Sequence, residues 1–150
     1  MSAVALHATA LAVGEDGVLL RGPSGAGKSA LALALLDAAR LQGLHGALVG
    51  DDRVLASVHG GRLVIRPHPA IAGQIERRGS GIERMAWQSA MVATLAVDLV
   101  PGRHAIHRLP DAGQLEVRIQ TVLMPRLPLP AGACIEDGVR AVLARLRQQR

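Results

Sequence analysis

Apolar positions fall into short runs broken by glycine, a pattern that predicts more strands than helices. Residues 4–13 alternate loosely and stop at Gly14-Glu15-Asp16-Gly17, a turn signal, and 17–21 is the next apolar run, so the chain opens with a β-hairpin. Residues 30–40 are strong helix formers, and that helix ends near Gly43. Ala47-Leu48-Val49 predicts a further strand ending at Gly50-Asp51-Asp52, and a strand, helix, strand unit of this length implies a right-handed crossover between neighbouring parallel strands. Residues 54–58 and 62–66 flank His59-Gly60-Gly61 as a second hairpin at the sheet edge. Two prolines and three glycines in 67–82 predict no regular element. Residues 91–100 form an apolar run ending at Pro101-Gly102, and 115–123 alternate as a strand. Residues 125–130 read as a proline-punctuated connection, and 137–147 as an amphipathic helix. The pattern predicts one α/β domain over residues 1–150, a mixed sheet sandwiched with helices and carrying edge hairpins.

Composition narrows what such a domain can do. A chain of 150 residues buries roughly 68–70% of its unfolded surface. Hydrophobic residues make up 49% but Trp87 is the one aromatic, so the core is Ala, Val, Leu and Ile, and stacking platforms for single-stranded nucleic acid are ruled out. The net charge is +5, yet the arginines are scattered, with only Arg140, Arg145, Arg147 and Arg150 gathered on what reads as the solvated face of the last helix. No nucleic-acid partner is expected. No apolar stretch reaches the roughly 18 residues that span a bilayer, and no basic start precedes a cleavable apolar segment, so the expectation is a cytoplasmic protein without membrane association. The single cysteine, Cys134, excludes an internal disulfide and a cysteine metal cluster, and is expected in the core of the last helix.

The charged residues carry the chemistry. The chain has sixteen arginines and one lysine, Lys28, which sits within Gly22-Pro23-Ser24-Gly25-Ala26-Gly27-Lys28-Ser29. This is the P-loop pattern. Its glycines let consecutive N–H groups turn inward around the β- and γ-phosphates of ATP, the lysine bridges phosphate oxygens, and the Ser29 hydroxyl can ligate Mg²⁺. The helix that starts here points its positive dipole end at the same charge. Strand, loop and helix occur in the required order.

Phosphoryl transfer also needs a group that positions or deprotonates the acceptor. Asp51 and Asp52 end an apolar strand some twenty residues after Lys28, and adjacent carboxylates there point in different directions. One can face the metal and the other the incoming hydroxyl, their mutual repulsion favouring a proton-accepting role. Asp98 is a rival for the metal side, although its following Val-Pro-Gly suggests a strand end. In Glu76-Arg77-Arg78-Gly79-Ser80-Gly81-Ile82, a carboxylate can reach Mg²⁺ while a guanidinium two residues on grips phosphate.

Taken together, the P-loop, Leu48-Val49-Gly50-Asp51-Asp52-Arg53-Val54 and the segment from Glu76 to Ile82 resemble, in order and spacing, the catalytic C-terminal domain of the HPr kinase/phosphorylase family. His7, fifteen residues before Gly22, matches a functional histidine of that family, and the resemblance runs over residues 5–110. It implies a fold related to the nucleotide-binding fold of PEP carboxykinase, and a kinase that uses ATP and Mg²⁺ to phosphorylate a serine of the phosphocarrier HPr. The reverse reaction would use inorganic phosphate. The resemblance implies Asp51 as general base, Lys28 and the loop amides on the phosphates, and Ser29, Asp52 and Glu76 around magnesium. It also implies Arg78 on the transferring group, and a hexamer whose neighbouring subunits help to bind HPr. The separate N-terminal domain of usual members is missing, so the chain reads as a short form.

Ala30 stands where the family usually has an acid, and Arg77 and Ser80 replace apolar residues of the signature. These departures leave two alternatives open. One is a nucleotide-binding regulatory module with degraded catalysis, the other a small-molecule P-loop kinase.

Overall fold

A computed structural model describes residues 2–102 and 112–150. The end of the family resemblance, 103–110, lies outside the described residues. The opening hairpin forms as predicted from β2 (Ala8–Val13) and β3 (Asp16–Arg21), while β1 (Val4–Leu6) separates from it and joins a second sheet. The helix after the loop is α1 (Lys28–Leu41), and it leads to β4 (Gly46–Gly50).

β4 is not the neighbour of β3, as had been expected. β2 lies between them and is antiparallel to both, so β3 and β4 run parallel one strand apart. The reason is local. A tight turn pairs β2 with one edge of β3, and β10 (Leu95–Val100) takes the other edge in parallel, which leaves the free edge of β2 for the crossover. The mixed sheet is completed by β12 (Val122–Pro130), parallel to β10, and β11 (Glu116–Ile119), antiparallel to β12. Its order is β11-β12-β10-β3-β2-β4.

Two further expectations change here. The predicted strand 115–123 is broken at Gln120, whose φ of 54° makes a turn between β11 and β12. The predicted connection 125–130 is part of β12. Ala131 N–H donates to Val100 O, so odd-numbered residues turn their amides toward β10, and the nitrogens of Pro128 and Pro130 face the side β11 does not reach. Proline is compatible with a strand where its missing N–H has no partner to lose.

The hairpin of β5 (Val54–His59) and β6 (Arg62–Pro67) also forms as predicted, but it occupies the centre of the second sheet instead of the edge of the first. That sheet has the order β1-β5-β6-β9, with β9 at Met91–Val92. The unassigned stretch holds a 3-10 turn (Pro69–Ile71) and a small hairpin, β7 (Gln74–Arg77) and β8 (Gly81–Arg84). The chain ends with a short helix α2 (Ala112–Leu115) before β11, and with α3 (Ile135–Gln148) after β12.

Alternation along the strands of the large sheet sorts its side chains into two cores. Leu11, Val13, Val18, Leu20, Leu48, Leu95 and Val97 point to α1 and α3, where Leu31, Leu35, Leu36, Val142 and Leu146 meet them. On the other face Ala8, Ala10, Leu19, Val49 and Ala96 pack against Val54, Ala56, Leu63 and Ile65 of the second sheet. The result is three layers: helices, large sheet, small sheet. The two long helices, α1 and α3, lie on the same face of the large sheet. Cys134 is not in the core; it precedes α3, is exposed, and its thiol donates to Glu136 Oε2 at 2.8 Å. No helix among the described residues is long and apolar enough to cross a membrane.

Asp98 is committed to the fold. Arg21 grips it through two bonds, Nε to Oδ1 at 2.7 Å and Nη2 to Oδ2 at 2.8 Å, and Arg126 Nε donates to Oδ2. Burial, the largest single influence, pushes the Asp98 carboxyl up, but hydrogen bonds and charge from Arg21 and Arg126 outweigh it and hold the group below its ordinary value. A depressed folded pKa means stability that is present above the unfolded value and lost as pH falls through the folded one. Urea titrations below pH 4 should therefore show a falling midpoint in the wild type and a flatter decline in Asp98→Asn.

Candidate active site

The P-loop joins β3 to α1 at the carboxyl end of β3. Gly25 and Gly27 take φ of 82° and 105°, and a Cβ at either would meet nothing within 4 Å, so the glycines serve backbone conformation and not packing. Gly27 caps α1 without any side-chain bond, and no acidic residue follows in the first turn, which leaves amide donors directed at the loop. Lys28 is buried, and its Nζ donates to Gly22 O at 2.8 Å and Pro23 O at 3.1 Å. An ammonium has three donors, so one remains for an anion in the loop.

Asp51, at the end of β4, is 5% exposed and accepts three hydrogen bonds. Thr9 Oγ1 and Ser29 Oγ each donate to Oδ1 at 2.7 Å, and Glu76 N–H donates to Oδ2 at 3.0 Å. One carboxylate thus ties together β2, the P-loop and the β7–β8 hairpin. Asp52 differs from its neighbour in every respect: it is exposed, its φ is 67°, and Nε2 of His7 donates to its Oδ1 at 2.8 Å. The left-handed backbone at Asp52 turns the two carboxylates apart, as their adjacency had suggested.

These groups line a cleft of about 620 Å³. Ser24, Gly25, Gly27, Lys28 and Ser29 form one end, Asp51 and Asp52 the floor, and Glu76, Arg77 and Arg78 a wall. Gly22, Pro23 and Ala26 do not line the cleft, and His7 reaches the site only through Asp52. Arg78 is exposed at the tip of the hairpin, which Arg77 braces through a 2.7 Å bond to Glu83. That bond and the Glu83 charge raise Arg77 above its ordinary value.

Several residues at the site were not anticipated from the sequence. Leu33, Ala34 and Asp37 extend the cleft along α1 and Ile135 closes it from α3; the helical spacing after Ala30 was the available signal. Thr9 is fully buried, and its signal was a hydroxyl in an otherwise apolar strand. Asp98, the rival for the metal side, is held by its two arginines and does not line the cleft.

For magnesium, the arrangement offers a hydroxyl and a carboxylate oxygen 2.7 Å apart at Ser29 and Asp51. Among the described residues no three His, Cys, Asp or Glu side chains gather as a metal cage. Magnesium usually takes one or two carboxylates with substrate phosphates and water, so the donor set fits that ion when phosphates accompany it.

No family profile matches the chain. It is 37% identical over 76 residues to the HPr kinase/phosphorylase of Mycoplasma mycoides subsp. mycoides, covering 51% of this chain and 22% of that protein. The aligned stretch thus spans about a fifth of that relative's length. The structure is similar to the Hpr(Ser) kinase/phosphatase of Coxiella burnetii, with a TM-score of 0.74 and 25% identity over 97% of this chain and 93% of that one. The resemblance read from the motifs is therefore carried by sequence and fold alike, and the mixed α/β sheet is the one the HPr kinase neighbour has.

Proposed function

We propose that the chain is a cytoplasmic ATP- and Mg²⁺-dependent protein-serine kinase that phosphorylates an HPr-type phosphocarrier and can run the reaction in reverse with inorganic phosphate. The observation that carries this reading is Asp51: a single buried carboxylate bonded to the P-loop serine and to the Glu76 amide brings all three motifs to one cleft.

Lys28 and the loop amides hold the β- and γ-phosphates. Ser29 donates a hydrogen bond to Asp51, which leaves the lone pairs of its oxygen available to a cation, and Glu76, which lines the same cleft, would add its carboxylate. When bound there, Mg²⁺ neutralises the charge that builds on the phosphate oxygens. Asp52 is the carboxylate open to an acceptor. As the serine oxygen of HPr bonds to the γ-phosphorus and the bond to the ADP oxygen breaks, the hydroxyl proton passes to Asp52, held by His7. In phosphorolysis an oxygen of inorganic phosphate bonds to the phosphorus of phosphoserine, the bond to the serine oxygen breaks, Asp52 returns the proton to that oxygen, and the phosphoryl group leaves as pyrophosphate. Arg78 stands at the hairpin tip, where its guanidinium can grip the transferring group.

This reading exchanges the tasks expected of the two carboxylates, with Asp51 on the cation side and Asp52 on the proton side. Burial and three donors at Asp51 support the first assignment, and exposure beside His7 supports the second.

Purified protein with Mg-ATP should add one phosphate mass to intact HPr. Nucleotide binding with no change in HPr mass at high enzyme concentration would instead make the chain a regulatory binding module.

A further inference from the structure

Four polar or charged residues are buried among the described residues; two of them, Lys28 and Asp51, line the cleft, and a third, Thr9, stands behind Asp51 and bonds to it. Lys28 and Asp51 have tasks in the proposed reaction. Thr9 has none, although it is fully buried in the strand that occupies the middle of the large sheet's β3-β2-β4 edge.

Its contact with Asp51 is made by an irregularity in strand pairing. From Val13 to Leu11 the ladder runs in steady register, Leu11 opposite Leu48; the next pair is Ala10 opposite Gly50, so β4 contains one extra residue at Val49. Without that residue the register would place Thr9 opposite Gly50 and Ala8 opposite Asp51. With it, Thr9 faces Asp51 and Ala8 N–H reaches Asp52 O at 3.2 Å. Extra residues of this kind re-aim side chains near active sites. A one-residue slip would instead turn the carboxylate to the opposite face of the sheet.

We propose that Thr9 is a positioning residue for the cation side of the site, its hydroxyl fixing the Asp51 carboxylate that in turn fixes the Ser29 hydroxyl. The inference rests on the proposed phosphoryl-transfer reading. Oδ1 of Asp51 takes both hydroxyl protons, from Thr9 and from Ser29, while Oδ2 takes the Glu76 amide. The Thr9 and Glu76 bonds lie on different oxygens and so fix the plane of the carboxylate. Loss of the Thr9 bond leaves Oδ1 held by the Ser29 hydroxyl alone, so that the carboxylate oxygen and the hydroxyl can shift together and Ser29 is no longer fixed in one orientation. Groups that orient a metal ligand from behind typically matter by 10–100-fold in metal affinity or activity.

The test compares wild type, Thr9→Val and Thr9→Ser. Valine keeps the shape and removes the donor; serine keeps the donor. Calorimetric titration of ADP at increasing magnesium gives the half-saturating magnesium concentration. Thr9→Val should raise it by about 10-fold or more, and Thr9→Ser should stay within about 3-fold of wild type, with both variants folded by circular dichroism. A purely structural role would lower the melting temperature of Thr9→Val and leave its magnesium dependence at the wild-type value, which would overturn the inference. An equal shift in Thr9→Ser and Thr9→Val would overturn it as well. HPr mass is followed in parallel. Magnesium-dependent ADP binding without transfer sinks the kinase reading alone, and the magnesium shift still decides the role of Thr9.

Discussion

Asp51→Asn is expected to lower phosphoryl transfer to HPr by about 10³-fold, the scale seen when a preorganised electrostatic group is removed from a transition state. The amide has the shape of the carboxylate but only one acceptor oxygen. Thr9, Ser29 and the Glu76 amide all donate, so an NH₂ group placed toward either side meets a donor. A lost charge and a mismatched hydrogen bond together misplace Ser29 and loosen the hairpin that carries Arg78. Asp52→Asn gives the control. It is exposed, and its loss removes the proposed proton acceptor while leaving Ser29 in place. Steady-state rates and magnesium titrations separate the two: Asp51→Asn should raise the half-saturating magnesium concentration, and Asp52→Asn should lower the rate with that concentration unchanged. The opposite result would return the general-base role to Asp51.

Gly17→Ala should destabilise the fold by about 3 kcal/mol, at the upper end of what overpacking a core costs. Gly17 lies in β3 beside Ala93 and Thr94, the step at which the chain crosses from the small sheet to the large one. Thr94 N–H donates to Gly17 O at 2.8 Å, and Gly17 N–H donates to Thr94 Oγ1 at 3.2 Å, so the crossover is fastened directly over this residue. A Cβ here would overlap the Val92 carbonyl oxygen and stand 3.0 Å from Met91 Sδ. The obstacle is backbone, and it can yield only if the two sheets part. For a chain of this size the loss corresponds to a drop in melting temperature of roughly 10 °C, measurable by calorimetry. A change below about 2 °C would mean that the interface between the sheets is loose.

The same crossover shows why the run 91–100 could be identified as apolar but not divided. Met91 and Val92 belong to one sheet and Leu95 onward to the other, with Ala93 and Thr94 as the step between. Nothing in the alternation marks a change of sheet. By contrast, the second hairpin was legible because His59-Gly60-Gly61 supplies the turn chemistry locally, and α3 because its apolar stripe has a helical period. The prolines of β12 misled because proline is compatible with a strand only where an edge is open, and that depends on how far β11 extends.

The sequence by itself determined the phosphate loop, the acidic pair, the helix between them and the family resemblance, since each depends on residues within a few positions of one another. Only the tertiary structure decided that β2 separates β3 from β4, and that Asp51 is buried while Asp52 is open. Thr9 likewise acquires meaning only there. These outcomes depend on strand partners and on one extra residue at Val49 in the pairing of β2 with β4. Register is a property of two segments at once, set by which faces can be buried together, and no single segment carries it.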